Sequence, residues 1–128
     1  MRIGILGAAD IAKRRFLPAL ESINGLFFQG VAVSSQDRLS AGEEIVEKHG
    51  GQVYVGYEQL LEDKEVDAVY VPLPPSLHYK WAKKALLAGK NVFLEKPSTT
   101  SLEETLELIR IADERNLVLV ENYGFVHH

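Results

Sequence analysis

Gly7, Ala9 and Ala12 occupy the three positions at which a phosphate-binding strand-to-helix turn ordinarily carries glycine, in the stretch GILGAADIA from Gly4 to Ala12. The chemistry of such a turn is anion binding: backbone N–H groups at the start of a helix point at a pyrophosphate, and small residues let it come close. Gly7 stands where a strand must end in a tight turn, which calls for the positive φ that glycine tolerates. Ala9 puts one methyl group where the backbone would approach the phosphate, and Ala12 needs only to pack helix on strand. Asp10 and Ile11 complete the turn, and with Gly7 and Ala9 they are candidate contacts to a dinucleotide. Taken alone, the stretch suits a phosphate cradle and an ordinary strand-helix junction equally well.

What must position such a turn is visible further along the chain. Short, nearly all-apolar runs recur as IGIL (3–6), GVAV (30–33), DAVYV (67–71), NVFL (91–94) and LVLV (117–120), with a weaker GQVYV at 51–55. They are too short for helices and too uniformly apolar for half-exposed strands, which suits a parallel sheet covered on both faces. Helical stretches separate them. Residues 40–50 end in Gly50, YEQLLED follows the weak strand, and residues 75–89 place Leu77, Trp81, Ala85 and Ala88 on one face before Gly89. Residues 101–116 open with Ser101 and Glu104 at capping-box spacing and predict a buried stripe of Leu102, Leu106, Ile109 and Ala112. Pro18 breaks the first helix near Arg15 and restarts it. The expectation is a single α/β domain, a doubly wound parallel six-stranded sheet of order 3-2-1-4-5-6, with ligands at the carboxyl ends of the strands beside strand one.

Composition narrows the function classes. The chain has 128 residues, a formal net charge of −4 and no cysteine. Its basic residues are scattered apart from Lys13-Arg14-Arg15, read as a solvent face with a phosphate contact as the alternative, so no nucleic-acid or membrane partner is expected. The absence of cysteine removes disulfides and thiolate chemistry. No run approaches the ~20 apolar residues of a membrane span, and the expected location is the cytoplasm. His127 and His128 lack carboxylates at ligand spacing, so no metal site is expected. Trp81, Tyr123 and Phe125 read as core or interface residues.

The segment VDAVYVPLPPSLHYKWAKKALLAGKNVFLEKP, residues 66–97, closely resembles the Gfo/Idh/MocA family of oxidoreductases. The resemblance rests on a strand ending in a Pro-rich turn (Pro72, Pro74, Pro75), on His78, on Ala88-Gly89-Lys90 at the end of a helix and on Glu95-Lys96-Pro97 at the end of the next strand. It continues through YEQLLEDKEVDAVYV before and ENYGF after, and GAADIAKRRFLPAL looks like the branch of nucleotide-sugar ketoreductases. The resemblance implies a Rossmann domain that binds a nicotinamide dinucleotide. Lys96 would be the catalytic proton donor or acceptor at a sugar-type ketone or alcohol, its ammonium eased toward neutrality by partial desolvation. Pro97 would help fix where Lys96 points. Pro72, Leu73 and Pro74 would pass near the nicotinamide half, with His78 behind them either as a ligand contact or as a cap or packing residue. Glu95 would orient the backbone or the ribose.

After strand two stand Ser34, Ser35 and Gln36, with Asp37 and Arg38 beyond them. A carboxylate in this place would accept bonds from both ribose hydroxyls and repel a 2′-phosphate. Small hydroxyls with a nearby Arg accommodate that phosphate, which favours NADP(H) over NAD(H), although Asp37 can swing toward the ribose and the family often carries Arg where Gln36 stands. The resemblance further implies that a second, substrate-binding domain of the family is missing from residues 1–128, so the chain reads as part of a longer enzyme; a stand-alone dinucleotide-binding or sensing module is the alternative. A Rossmann relative that binds coenzyme A or another nucleotide would have no use for AGK followed by EKP. The face that such a second domain would cover is expected to be apolar and to promote a weak homodimer.

Overall fold

The computed structural model describes residues 1–10, 12–95 and 101–122. Strands β1 (Arg2–Leu6), β2 (Phe27–Val33), β3 (Gln52–Val55), β4 (Ala68–Val71), β5 (Asn91–Glu95) and β6 (Leu119–Asn122) form one sheet. Its order is β3-β2-β1-β4-β5-β6 and every neighbouring pair is parallel, as the alternation of apolar runs and helices requires. The central strands are buried on both faces: all four residues of β4 are fully buried.

Helices α1 (Leu17–Glu21) and α2 (Leu39–His49) lie on one face, over a core that includes Ile3, Ile5, Phe16, Leu17, Val31, Ile45 and Tyr70. Helices α3 (Tyr57–Glu62), α4 (Pro75–Leu87) and α5 (Leu102–Glu114) cover the other, over Leu60, Val69, Val71, Leu86, Leu94 and Leu108. Tyr70 and its neighbours Val69 and Val71 thus point to opposite sides, the period-two alternation of a strand. On the α1/α2 face, Phe93 and Val120 line an apolar cleft of about 250 Å³ with Ile3, Phe16, Leu20 and Ile23. Among the described residues no helix is long and apolar enough to cross a membrane.

Pro18 acts where the sequence places it. Residues Ala12–Phe16 form a wider π turn, and α1 then begins with Pro18 in its first turn. A proline at that point has no N–H to offer and would collide with a carbonyl one turn back, so the loosened turn before it absorbs the misfit. Ser101 caps α5 as predicted, its Oγ accepting from the Glu104 N–H at 3.2 Å.

Two predicted helix faces are corrected. Helix α5 buries Leu108, Ile111 and Ala112, whereas Leu102 is 72% exposed and Leu106 and Ile109 are also exposed. The sequence of α5 carries apolar residues on two sides, and the contact with α4 and β6 selects the side that includes Ala112. Helix α4 buries His78, Ala82, Ala85 and Leu86, while Leu77 and Ala88 are exposed and Trp81 is half-buried. Here the small Ala82 and Ala85 face the sheet, and a histidine takes a core position because a carbonyl is there to accept its N–H.

Candidate functional site

Strands β1, β2 and β4 end side by side, and the three turns that leave them enclose a cleft of about 290 Å³. Seven residues selected from the sequence line it: Gly7, Ala9, Ser34, Arg38, Pro72, Leu73 and Pro74. Ala8, Val33 and Tyr57 complete the wall. The first turn is pinned to β2 by the Gly7 N–H, which donates to the Ala32 carbonyl at 2.8 Å. Gly7 has φ +102°, and a Cβ there would stand 3.0 Å from Leu73 Cδ2, so glycine is required both by conformation and by the close passage of the β4 turn.

The turn after β4 is held from behind. His78 is 1% exposed, and its Nε2–H donates to the Leu73 carbonyl at 2.5 Å, so His78 serves as the anchor of the Pro72–Pro74 turn and is not part of the cleft wall. Pro74 caps α4 and Pro75 occupies its first turn, where the missing N–H costs nothing.

Other selected residues stand apart from the cleft. Asp10 is exposed on the β1 turn and outside its wall. Ser35 precedes the short 3₁₀ turn Gln36–Arg38 in extended conformation, and it too is outside the wall, as is Asp37. Glu95 ends β5 and accepts a hydrogen bond from the hydroxyl of Tyr70. Tyr70 is fully buried and stacks on Phe16 at 4.0 Å; burial, and then the bond and charge of Glu95, push its phenol above the usual tyrosine range. This partner turns Glu95 toward the α1/α2 side. Ile11, Lys96, Pro97, Tyr123, Phe125, His127 and His128 lie outside the described residues.

The cleft is electrostatically simple. Among the described residues Arg38 is its one cation and no carboxylate lines it. Lys13 is turned to Glu44 of α2 at 3.6 Å, while Arg14 and Arg15 are exposed. Among the described residues no three histidine, aspartate or glutamate side chains converge to hold a metal.

Tyr57, an aromatic residue of the wall, was not selected from the sequence. Its signal was present, since VGY after the weak third strand places it at the same carboxyl edge as Ser34. Burial pushes its phenol above the usual range, and a hydrogen bond with Ser34 and the charge of Arg38 pull the other way.

Comparison with known proteins bears on this arrangement directly. Residues 1–123 match the oxidoreductase family model described as an NAD-binding Rossmann fold. The chain belongs to the Gfo/Idh/MocA family. Within that family it is 46% identical over 128 residues to dTDP-3,4-didehydro-2,6-dideoxy-alpha-D-glucose 3-reductase from Actinomadura kijaniata, and 47% identical to the protein of the same name from Streptomyces violaceoruber. In each case all of this chain is covered, against 38% and 36% of the relative. The crystal structure of a 3-ketoreductase from Actinomadura kijaniata with NADP and TDP-benzene superposes with a TM-score of 0.93 at 45% identity, covering 100% of this chain and 38% of that one. The NADP(+)-dependent D-xylose 1-dehydrogenase 2 of Haloferax volcanii is 34% identical over 128 residues, 38% of its length. The chain therefore spans somewhat over a third of these Gfo/Idh/MocA relatives.

Proposed function

We propose that this chain is the dinucleotide-binding portion of a Gfo/Idh/MocA oxidoreductase that acts on a sugar-type ketone or alcohol, with NADP(H) preferred over NAD(H). The observation that carries the preference is the cleft itself, with Ser34 and Arg38 after β2 and no carboxylate among the described residues of the wall. A 2′-phosphate requires a cation and hydroxyl donors and is repelled by a carboxylate, and the residues present fit that demand. Among the described residues Arg38 has no salt bridge to surrender, so its guanidinium is available to an incoming anion. Gly7 keeps the loop open for a pyrophosphate, because any Cβ would fill the space against Leu73.

The bound nicotinamide would supply or accept the hydride. The chain's own part is to seat the dinucleotide on the Gly7–Asp10 turn, to set the ring's position with the Pro72–Pro74 turn held by His78, and to handle the proton. Lys96, directly after β5, is the residue proposed to give a proton to the substrate oxygen during reduction and to take it back during oxidation. Glu95 is proposed to steady that strand end through Tyr70. Because the chain spans 38% of a 3-reductase relative, the pocket that selects the sugar is proposed to lie in a second domain beyond these 128 residues. The similarity to dTDP-sugar 3-reductases supports a nucleotide-linked keto sugar as the substrate class.

Calorimetric titration with NADPH and, separately, NADH tests the reading. Preferential binding of NADPH is expected. Equal or tighter binding of NADH would remove the assignment of Ser34 and Arg38, and failure of both to bind would remove the cleft as a dinucleotide site.

A further inference from the structure

Tyr57 belongs to the cleft wall, and neither the family resemblance nor the sequence gives it a role. It opens α3 directly after Gly56, whose φ of +102° turns the chain at the end of β3. Two backbone bonds lock three strand ends together: the Gly56 N–H donates to the Val33 carbonyl at 2.7 Å, and the Gly7 N–H donates to the Ala32 carbonyl at 2.8 Å. Trp81 of α4 fixes the Tyr57 ring edge-on, with centroids 5.0 Å apart. Held in this way, the side chain crosses from the β3 side of the sheet past the end of β2, and its hydroxyl stands 3.7 Å from the point that a Gly7 Cβ would occupy. It therefore reaches the β1 turn across the strand end that carries Ser34 and Arg38, and all four residues line one cleft.

That path limits what the hydroxyl can meet. Ser34 and Arg38 are the proposed seat of a 2′-phosphate, and the Gly7–Asp10 turn is the proposed seat of the pyrophosphate. In an adenine dinucleotide both groups hang from the adenosine ribose, whose one remaining polar substituent is the 3′-hydroxyl. We infer that Tyr57 is a dinucleotide-binding residue whose hydroxyl hydrogen-bonds the 3′-hydroxyl of the adenosine ribose. A phenol has one proton to give and two lone pairs, and a sugar hydroxyl has the same, so either can donate to the other. Burial raises the phenol above its usual range, so its proton is in place at neutral pH. The inference rests on the reading of the cleft as the seat of an adenine dinucleotide. It does not rest on the choice of cofactor, because NADPH and NADH share the 3′-hydroxyl.

Tyr57→Phe keeps the ring against Trp81 and removes only the hydroxyl. The matching change in the ligand is an NADPH analogue in which hydrogen replaces the adenosine 3′-hydroxyl. In calorimetric titrations the 128-residue wild-type chain is expected to bind this analogue about threefold to tenfold more weakly than NADPH, the scale of one hydrogen bond. Tyr57→Phe should bind NADPH as weakly as wild type binds the analogue. It should bind the analogue no more weakly than wild type does, because the same bond cannot be lost twice. NADH should lose affinity by the same factor as NADPH. The inference is overturned if Tyr57→Phe binds NADPH with wild-type affinity, if its loss persists against the analogue, or if wild type does not distinguish the analogue from NADPH. Wild type that binds NADPH and NADH equally, with both weakened alike by Tyr57→Phe, removes the 2′-phosphate assignment and supports this inference, whereas wild type that binds neither removes both.

Discussion

At the amino ends of the strands Lys90 is 6% exposed and spends its ammonium on two carbonyls, those of Asp63 and Val66, each at 2.7 Å, whereas at the carboxyl ends Arg38 stands exposed with no carboxylate partner among the described residues. The contrast extends to the neighbours. Asp67 accepts from the Arg2 N–H at 2.7 Å, Asn91 ties Val118 to β5 through its Oδ1 at 2.8 Å, and the terminal ammonium of Met1 donates to the Gly25 carbonyl at 2.6 Å. Polar groups at that end are consumed by the protein. At the other end Ser34, Arg38 and the Gly7 turn face an open cleft, and the interior bonds there, from His78 to Leu73 and from Gly7 to Ala32, hold the turns and leave the wall free. A doubly wound domain of this kind concentrates stability at one end of its sheet and ligand chemistry at the other.

The largest expected effect tests that division. Lys90→Met keeps the aliphatic stem and leaves the Asp63 and Val66 carbonyls without their donor, and it should cost about 2–4 kcal/mol of folding stability. Chemical denaturation should record that loss, while NADPH affinity measured under conditions where the variant is folded should be unchanged; a changed affinity would break the comparison. Gly7→Val is the converse experiment. It forces a branched side chain into φ +102° and against Leu73, with a strain of roughly 1–3 kcal/mol, and should abolish detectable dinucleotide binding in the titration. Retained binding would show that the β1 turn is not the phosphate seat.

The same two ends explain what was legible in the sequence. Strand order followed from runs such as AVYV, because a strand buried on both faces leaves no polar residue to confuse the period. Gly7 and the Pro-rich turn were legible because their chemistry is local, a positive φ in one case and a fixed φ in the other. The faces of α4 and α5 were not, since apolar residues lie on both sides of α5 and the buried side of α4 is set by alanines and a histidine whose partner carbonyl comes from Leu73. Glu95 joined the site list by its place next to Lys96, yet its partner Tyr70 lies 25 residues earlier, on the adjacent strand. Lys90 belongs to the very motif that reveals the family, but its work is done at the end of the sheet away from the cleft. A motif read as one unit therefore mixes residues that stabilise the domain with residues proposed to serve its ligand.

The smallest expected effect sharpens the stable end. Tyr54 of β3 donates to Asp63 Oδ2 at 2.5 Å. Burial first, and then the Asp63 bond, push the tyrosine up to about 12, while the same bond holds the Asp63 carboxyl below its usual value. For Asp63 the folded form resists protonation, so its contribution is present above the unfolded carboxyl value and fades as pH falls through the lower folded one. For Tyr54 the folded form keeps its proton longer than the unfolded chain, so stability is lost as pH rises from about 10 toward about 12. Tyr54→Phe should weaken the first dependence and remove the second: thermal melts across pH should show a shallower acid limb and a shallower alkaline limb than wild type, with NADPH binding at neutral pH unaltered. An acid limb that stays as steep would mean that Asp63 is held down by other groups, of which the Glu65 N–H at 2.9 Å is the nearest, and would move the centre of the amino-end network from the tyrosine to that turn.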